Sequence, residues 1–121
     1  MHSDDGLDEI SISSPTRGYE IKGSDIRDFF CEPEQFGFDR SDFSTVTVAS
    51  LPDAISLIRM VLTGKEVGPA RHMVLMSSGV SLYLCGLVDS IEFGVQQAAV
   101  LIDKGEAKRV LDRLVNLTSK T

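Results

Sequence analysis

From Pro69 to Leu84 the chain is apolar or small on almost every side of a helix, with Ser77, Ser78, Gly79 and Ser81 set among Val74, Leu75, Met76, Val80 and Leu82. A surface helix carries one apolar stripe, whereas a helix that is apolar all round expects neighbours on every side. Pro69 suits the first turn and Gly86 lies just past the end. The segment is therefore expected to be a buried central helix. Its small residues let neighbouring backbones approach closely, and the rest of the chain has to be arranged around it.

Three further helices are legible from their caps. Ser50 can cap the first, with Pro52 in its opening turn and Ala54, Ile55, Ile58, Val61 and Leu62 as the apolar stripe; Gly64 stops it. Asp89-Ser90-Ile91-Glu92 resembles a capping box for another, ending at Lys104-Gly105. The last follows, with Ala107, Val110, Leu111, Leu114 and Val115 on one face. Along these last two helices Lys104, Lys108, Arg109 and Arg113 are spaced with Asp103, Glu106 and Asp112 among them, which reads as a solvated mixed-charge face.

Residues 1–49 have another character. Ile10-Ser11-Ile12-Ser13 alternates with period two and is expected to be a strand. Tyr19-Glu20-Ile21 and Ile26 to Cys31 read as a hairpin around Lys22-Gly23-Ser24-Asp25. Glu32 to Phe38 reads as one helical turn closed by Gly37, and Phe29, Phe30, Phe36 and Phe43 as core or interface residues. The chain thus divides into a strand and loop segment (1–49) and a helical segment (50–121). A parallel sheet needs alternating strands and helices. Two or three strands followed by four helices suggest the last strands of a larger α/β sheet.

Forty-two per cent apolar residues are enough for a core, and a formal net charge of -6 argues against binding the phosphate backbone of nucleic acid. The longest apolar run is too short and interrupted for a membrane span, and the acidic start is no signal peptide. Cys31 and Cys85 form neither a CxxC nor a metal spacing. A reduced, cytoplasmic protein explains both, with Cys85 expected in the core. His72 reads as a surface or satisfied histidine rather than a base, and Gly64-Lys65-Glu66 lacks the pattern of a phosphate-binding loop.

One acidic pair has a chemical reading. Asp8 and Glu9 stand just before Ile10. On a loop, adjacent carboxylates can converge on a hard cation such as Mg²⁺, which takes one or two carboxylates and completes its shell with water and substrate phosphate. The bland alternative is a solvated acidic loop. Asp4 and Asp5 are read in that bland way.

His2-Ser3-Asp4-Asp5-Gly6-Leu7-Asp8-Glu9-Ile10-Ser11 resembles the H-G-x-D-G-L-D-E-(I/L)-S stretch of anthranilate phosphoribosyltransferases. The resemblance continues in order. Ser14-Pro15-Thr16 is similar to the family's G-P-T, and Pro33 to Phe38 to its P-E-D-F-G-L. Val67 to Arg71 is similar to K-G-P-A-R-D, Val74 to Gly86 to V-x-L-N-A-x-x-A-L-Y-x-x-G, and Glu92 to Gly105 to E-G-V-x-x-A-x-x-x-I-D-S-G. It covers essentially the whole chain. It implies part of an α/β catalytic domain of the phosphoribosyltransferase and nucleoside-phosphorylase-like kind. The implied activity is transfer of a phosphoribosyl group from phosphoribosyl pyrophosphate to the amino group of anthranilate, in tryptophan biosynthesis. It implies further that Asp8 and Glu9 bind the donor's Mg²⁺.

The departures are Ser3 and Ser14, each where the family has glycine, Ser77 where it has asparagine, and Phe93 before Gly94. The family's pyrophosphate-cradling Gly-Thr-Gly-Gly-Asp loop, its N-terminal helices and its acceptor-binding arginine have no counterpart here. The chain is therefore expected to be the C-terminal third of such an enzyme, with no catalytic residue of its own and inactive alone. It should need the N-terminal part of the protein, or a second copy in a homodimer, to cover its open faces. The alternatives are a non-catalytic association module and a diverged phosphoribosyltransferase with another acceptor.

Overall fold

The computed structural model describes residues 1–119. Three antiparallel strands, β1 (His2–Ser3), β2 (Thr16–Lys22) and β3 (Asp25–Cys31), lie in the order β1-β2-β3. Four helices follow: α1 (Leu51–Leu62), α2 (Pro69–Leu84), α3 (Ile91–Asp103) and α4 (Glu106–Thr118). Strands then four helices is the expected arrangement. One strand is not where it was expected.

The β2–β3 hairpin is paired from Thr16 with Cys31 to Lys22 with Asp25. Gly23, at the first central position of the two-residue loop, has φ of 64°, and among the described residues no non-glycine has positive φ. That is the pattern of a type II′ turn, whose twist suits a hairpin. Only the Cys31 end of the hairpin reaches the core; Tyr19, Ile21 and Ile26 at the other end are exposed. The Tyr83 hydroxyl donates to Glu20 Oε1 at 3.0 Å and ties β2 to α2. Pro33–Phe36 forms the expected single turn, closed by Gly37 at φ 76°.

Ile10–Ser13 is not a strand. A half-buried strand alternates, but here Ile10, Ser11 and Ile12 are all fully buried. The backbone is satisfied by side chains instead of a ladder. The Ser11 N–H donates to Thr16 Oγ1 at 3.1 Å, and the Ser13 N–H to Ser11 Oγ at 2.9 Å. The Ile12 carbonyl accepts from the Ser41 N–H at 3.0 Å. Serine and threonine offer the backbone such alternatives, and here they prevail over the period-two pattern.

The helices start and stop at their sequence signals. Ser50 and Ser90 accept from the N–H groups of Asp53 and Phe93, and Gly64 and Gly105 follow α1 and α3 in the left-handed region. Helix α2 is the hub. On one side Met76 and Val80 pack with Ile10, Ile12 and Cys31. On another, Leu75 packs with Val61, Val95, Ala98 and Ile102. Arg71, at the start of α2, donates to Asp103 at the end of α3 across 2.7 Å.

Two burial expectations fail. Helix α2 is not covered all round: Val74, Ser77 and Ser78 line an open groove of about 510 Å³ shared with Phe43, Leu57 and Ile58. Cys85 is exposed, because it follows the last residue of α2 and points away from the packed side, whereas Cys31 is buried.

Candidate functional site

The acidic loop is built by closing a circle. Ser3 on β1 pairs with Thr16 on β2, so residues 4–15 leave and return at one point of the sheet. The base is stitched by backbone bonds from the Ser3 N–H to the Leu7 carbonyl (2.8 Å) and from the Asp4 N–H to the Pro15 carbonyl (2.9 Å). Gly6 makes the sharp bend at φ 93°. Ile10, buried to 0% exposure, pins the far side into the core.

Between the bend and that anchor lie Asp8 and Glu9, both exposed. Neither forms an ion pair among the described residues. Glu9 sits at the edge of the apolar groove, beside Ser77 and Ser78 of α2. Among the described residues no three His, Cys, Asp or Glu side chains gather as a metal site. Two such carboxylates supply only part of an octahedral shell. That suits a cation such as Mg²⁺, which keeps several waters and takes its remaining oxygens from a phosphorylated ligand.

Asp5, expected to be a solvated acid, is instead the centre of the loop. Its Oδ1 accepts from the Ser3 hydroxyl at 2.6 Å and the Leu7 N–H at 3.1 Å. Its Oδ2 accepts from the Ser11 hydroxyl at 2.6 Å and from the Ser13 hydroxyl. Burial by itself would raise this carboxyl's pKa. The bonds from Ser11, Ser13, Ser3 and the Leu7 N–H outweigh it, and the group is held well below the usual carboxylate range. The two loop positions that depart from the resemblance meet in space: Ser3 Oγ lies 3.0 Å from Ser14 Oγ, which also accepts from the Asp5 N–H at 3.1 Å. Sequence carried one faint signal of this arrangement, four serines around a short acidic loop, but their convergence depends on closure at Thr16.

Other residues keep modest roles. Asp4 pairs with Arg17 at the surface, 3.2 Å away, an interaction of little energetic weight. His72 stacks on Phe38 with ring centroids 4.1 Å apart and 4° between planes. Burial, then the charge of Arg71, lowers its pKa and favours the neutral ring. It lines neither the acidic loop nor the groove. Phe29 and Phe36 pack on the core as expected, and Phe43 lies in the groove wall. No helix among the described residues is long and apolar enough to cross a membrane.

Similarity to known proteins follows the same boundaries. The chain is 37% identical over 118 residues to an anthranilate phosphoribosyltransferase of Methylococcus capsulatus, covering 98% of this chain and 34% of that protein. It is 38% identical over 119 residues to the enzyme of Thioalkalivibrio sulfidiphilus, covering 98% of this chain and 35% of that protein. It therefore spans about a third of the length of these relatives. Among solved structures, the anthranilate phosphoribosyltransferase of Thermus thermophilus superposes with a TM-score of 0.82 at 28% identity, over 93% of this chain and 33% of that one. The Saccharomyces cerevisiae enzyme, solved in complex with PRPP and Mg, shares the fold with a TM-score of 0.89 at 24% identity, over 99% of this chain and 34% of that one. Residues 1–108 match the glycosyl transferase family, a/b domain. With nearly its whole length inside that match, the chain belongs to the glycosyl transferase family and represents part of its α/β domain.

Proposed function

We propose that this chain supplies the metal-holding loop and the C-terminal helices of an anthranilate phosphoribosyltransferase, which moves a phosphoribosyl group from phosphoribosyl pyrophosphate to the amino group of anthranilate. The observation that carries the reading is the pair Asp8 and Glu9, exposed side by side on a loop held at both ends. Mg²⁺ bound there would neutralise charge on the pyrophosphate leaving group. The chain's own part is to hold two carboxylates where a phosphorylated donor can meet them, beside the serines of α2. The acceptor and most of the donor contacts belong to the remaining two thirds of a polypeptide of the relatives' length. By the same reading the protein works in the cytoplasm, and its open faces are covered by that remainder or by a second copy.

A chimera tests this. The chain is joined behind the first two thirds of the Methylococcus capsulatus relative, in place of that protein's own last third. Consumption of anthranilate, followed by its fluorescence, should then depend on both phosphoribosyl pyrophosphate and Mg²⁺. Replacing Asp8 and Glu9 with alanine should reduce turnover by orders of magnitude. A folded chimera without turnover, or one whose Mg²⁺ dependence survives the double replacement, would overturn the reading.

A further inference from the structure

A carboxylate has about four lone-pair sites. At Asp5 the Ser3 and Leu7 donors occupy one oxygen, and the Ser11 and Ser13 donors occupy the other. Each of the three serine hydroxyls has one proton, and each directs it to this carboxylate. The Ser3 oxygen is then free to accept from Ser14, 3.0 Å away, while Ser14 in turn accepts from the Asp5 backbone N–H. Ser3 and Ser11 are fully buried. A cation approaching Asp5 would have to displace bonded, partly buried hydroxyls. Three and four residues further on, Asp8 and Glu9 are exposed. Of the loop's four exposed acids, Asp5 is thus fully bonded within the loop, Asp4 pairs with Arg17, and Asp8 and Glu9 form no ion pair among the described residues.

We propose that Asp5 is the positioning residue of this loop: it holds no cation, and by tying Ser3, Ser11, Ser13 and the Leu7 amide together it fixes the backbone from which Asp8 and Glu9 meet a divalent cation. This rests on the reading of Asp8 and Glu9 as the metal pair. Groups that orient a ligand from behind commonly govern affinity although they never touch the metal. Ser3 and Ser14, the two departures from the glycine pattern, add hydroxyls to this frame. In this chain the loop is held by side chains as well as by backbone.

The experiment uses the ¹⁵N-labelled chain with Mn²⁺ alone as the probe, and reads two quantities. One is paramagnetic broadening of amide signals, which detects weak metal binding near residues 6–10. The other is hydrogen exchange at the Leu7 amide, which reports the Asp5 bond directly. Wild-type chain should be broadened at the loop. Asp8→Asn with Glu9→Gln should abolish broadening and leave Leu7 protected. Asp5→Asn should expose the Leu7 amide to exchange and weaken Mn²⁺ binding by about tenfold or more. Ser13→Ala removes one donor and leaves the buried hydroxyls in place; it should move both quantities the same way by less, and it serves if Asp5→Asn unfolds. Wild-type Mn²⁺ affinity in Asp5→Asn or unchanged Leu7 protection would overturn the inference. So would binding that survives the Asp8 and Glu9 changes but is lost with Asp5, since Asp5 would then be a ligand. No broadening in the wild type would instead overturn the metal reading itself, and this inference with it.

Discussion

Gly94 of α3 lies directly against the backbone of Gly79 on α2: a β-carbon on Gly94 would stand 2.5 Å from the Gly79 carbonyl oxygen and 2.9 Å from its α-carbon. The reciprocal addition at Gly79 would meet the Val95 backbone nitrogen at 2.7 Å. These obstacles are backbone, so neither helix can yield by turning a side chain. Gly94→Ala should destabilise the fold by about 1–3 kcal/mol, as overpacking does in close-packed cores. Urea unfolding followed by circular dichroism measures this. A variant as stable as the parent would show that α2 and α3 do not cross this closely in solution.

The Asp5 bonds have a pH signature. Burial opposes ionisation of this carboxyl, but the three hydroxyls and the amide prevail and depress its folded-state pKa. A depressed carboxyl contributes stability that is present above its unfolded value, about 3.9, and is lost as pH falls through the folded value. The stability difference between the parent chain and Asp5→Asn should therefore be steady near neutrality and shrink as pH drops below about 4. Urea midpoints for both proteins at successive pH values check this, and a difference independent of pH counts against it.

The two cysteines should differ sharply in reactivity. Burial, followed by the charges of Glu92 and Glu32, pushes the Cys31 thiol up to about 11. Cys85 is exposed beyond α2. The reactive species is the thiolate. A disulfide reagent at mildly alkaline pH should titrate one thiol quickly in the folded chain and the second only after unfolding. Cys85→Ser should leave no fast thiol, and rapid labelling of Cys31 in that variant would contradict the packing of β3.

The open apolar surface should drive self-association. A compact monomer of 13.2 kDa exposes roughly 6,400 Å², whereas this chain exposes 7930 Å². The excess of about 1,500 Å² is what one partner contributes to a large, stable interface. Exposed apolar groups include Val74 beside the groove and Val110, Leu114 and Leu117 along α4. Sedimentation at micromolar concentration should find a dimer or larger species. Val74→Lys, at an already exposed position, should shift it toward monomer without unfolding. A cooperative, compact monomer of the parent chain would refute this.

Activity should be absent from the chain alone, because the groups that position donor and acceptor together supply much of the rate enhancement. On the proposed reading this chain offers the donor the Asp8 and Glu9 carboxylates and leaves the other contacts to the rest of a longer polypeptide. Assay of the purified chain with anthranilate, phosphoribosyl pyrophosphate and Mg²⁺ should give no turnover above background. Turnover would mean that these 121 residues hold a complete site.

Sequence alone determined the local features. Ser50, Pro69 and Ser90 start helices because a side-chain oxygen or a fixed φ acts within one turn, and Gly64, Gly105 and Gly23 end or turn the chain because only glycine enters the left-handed region freely. The reading of Asp8 and Glu9 as a metal pair rests mainly on a motif, since spacing by itself marks only an acidic loop. Tertiary structure decided whatever depended on distant partners. Ile10–Ser13 alternates like a strand, yet the serine and threonine oxygens that the fold brings to it satisfy its backbone otherwise. Asp5 became the hub only because the pairing of Ser3 with Thr16 closes the loop and brings Ser3, Ser11 and Ser13 to the same carboxylate. Helix α2 is composed for neighbours on every side, but how many of its faces are covered depends on which other elements are there to pack against it.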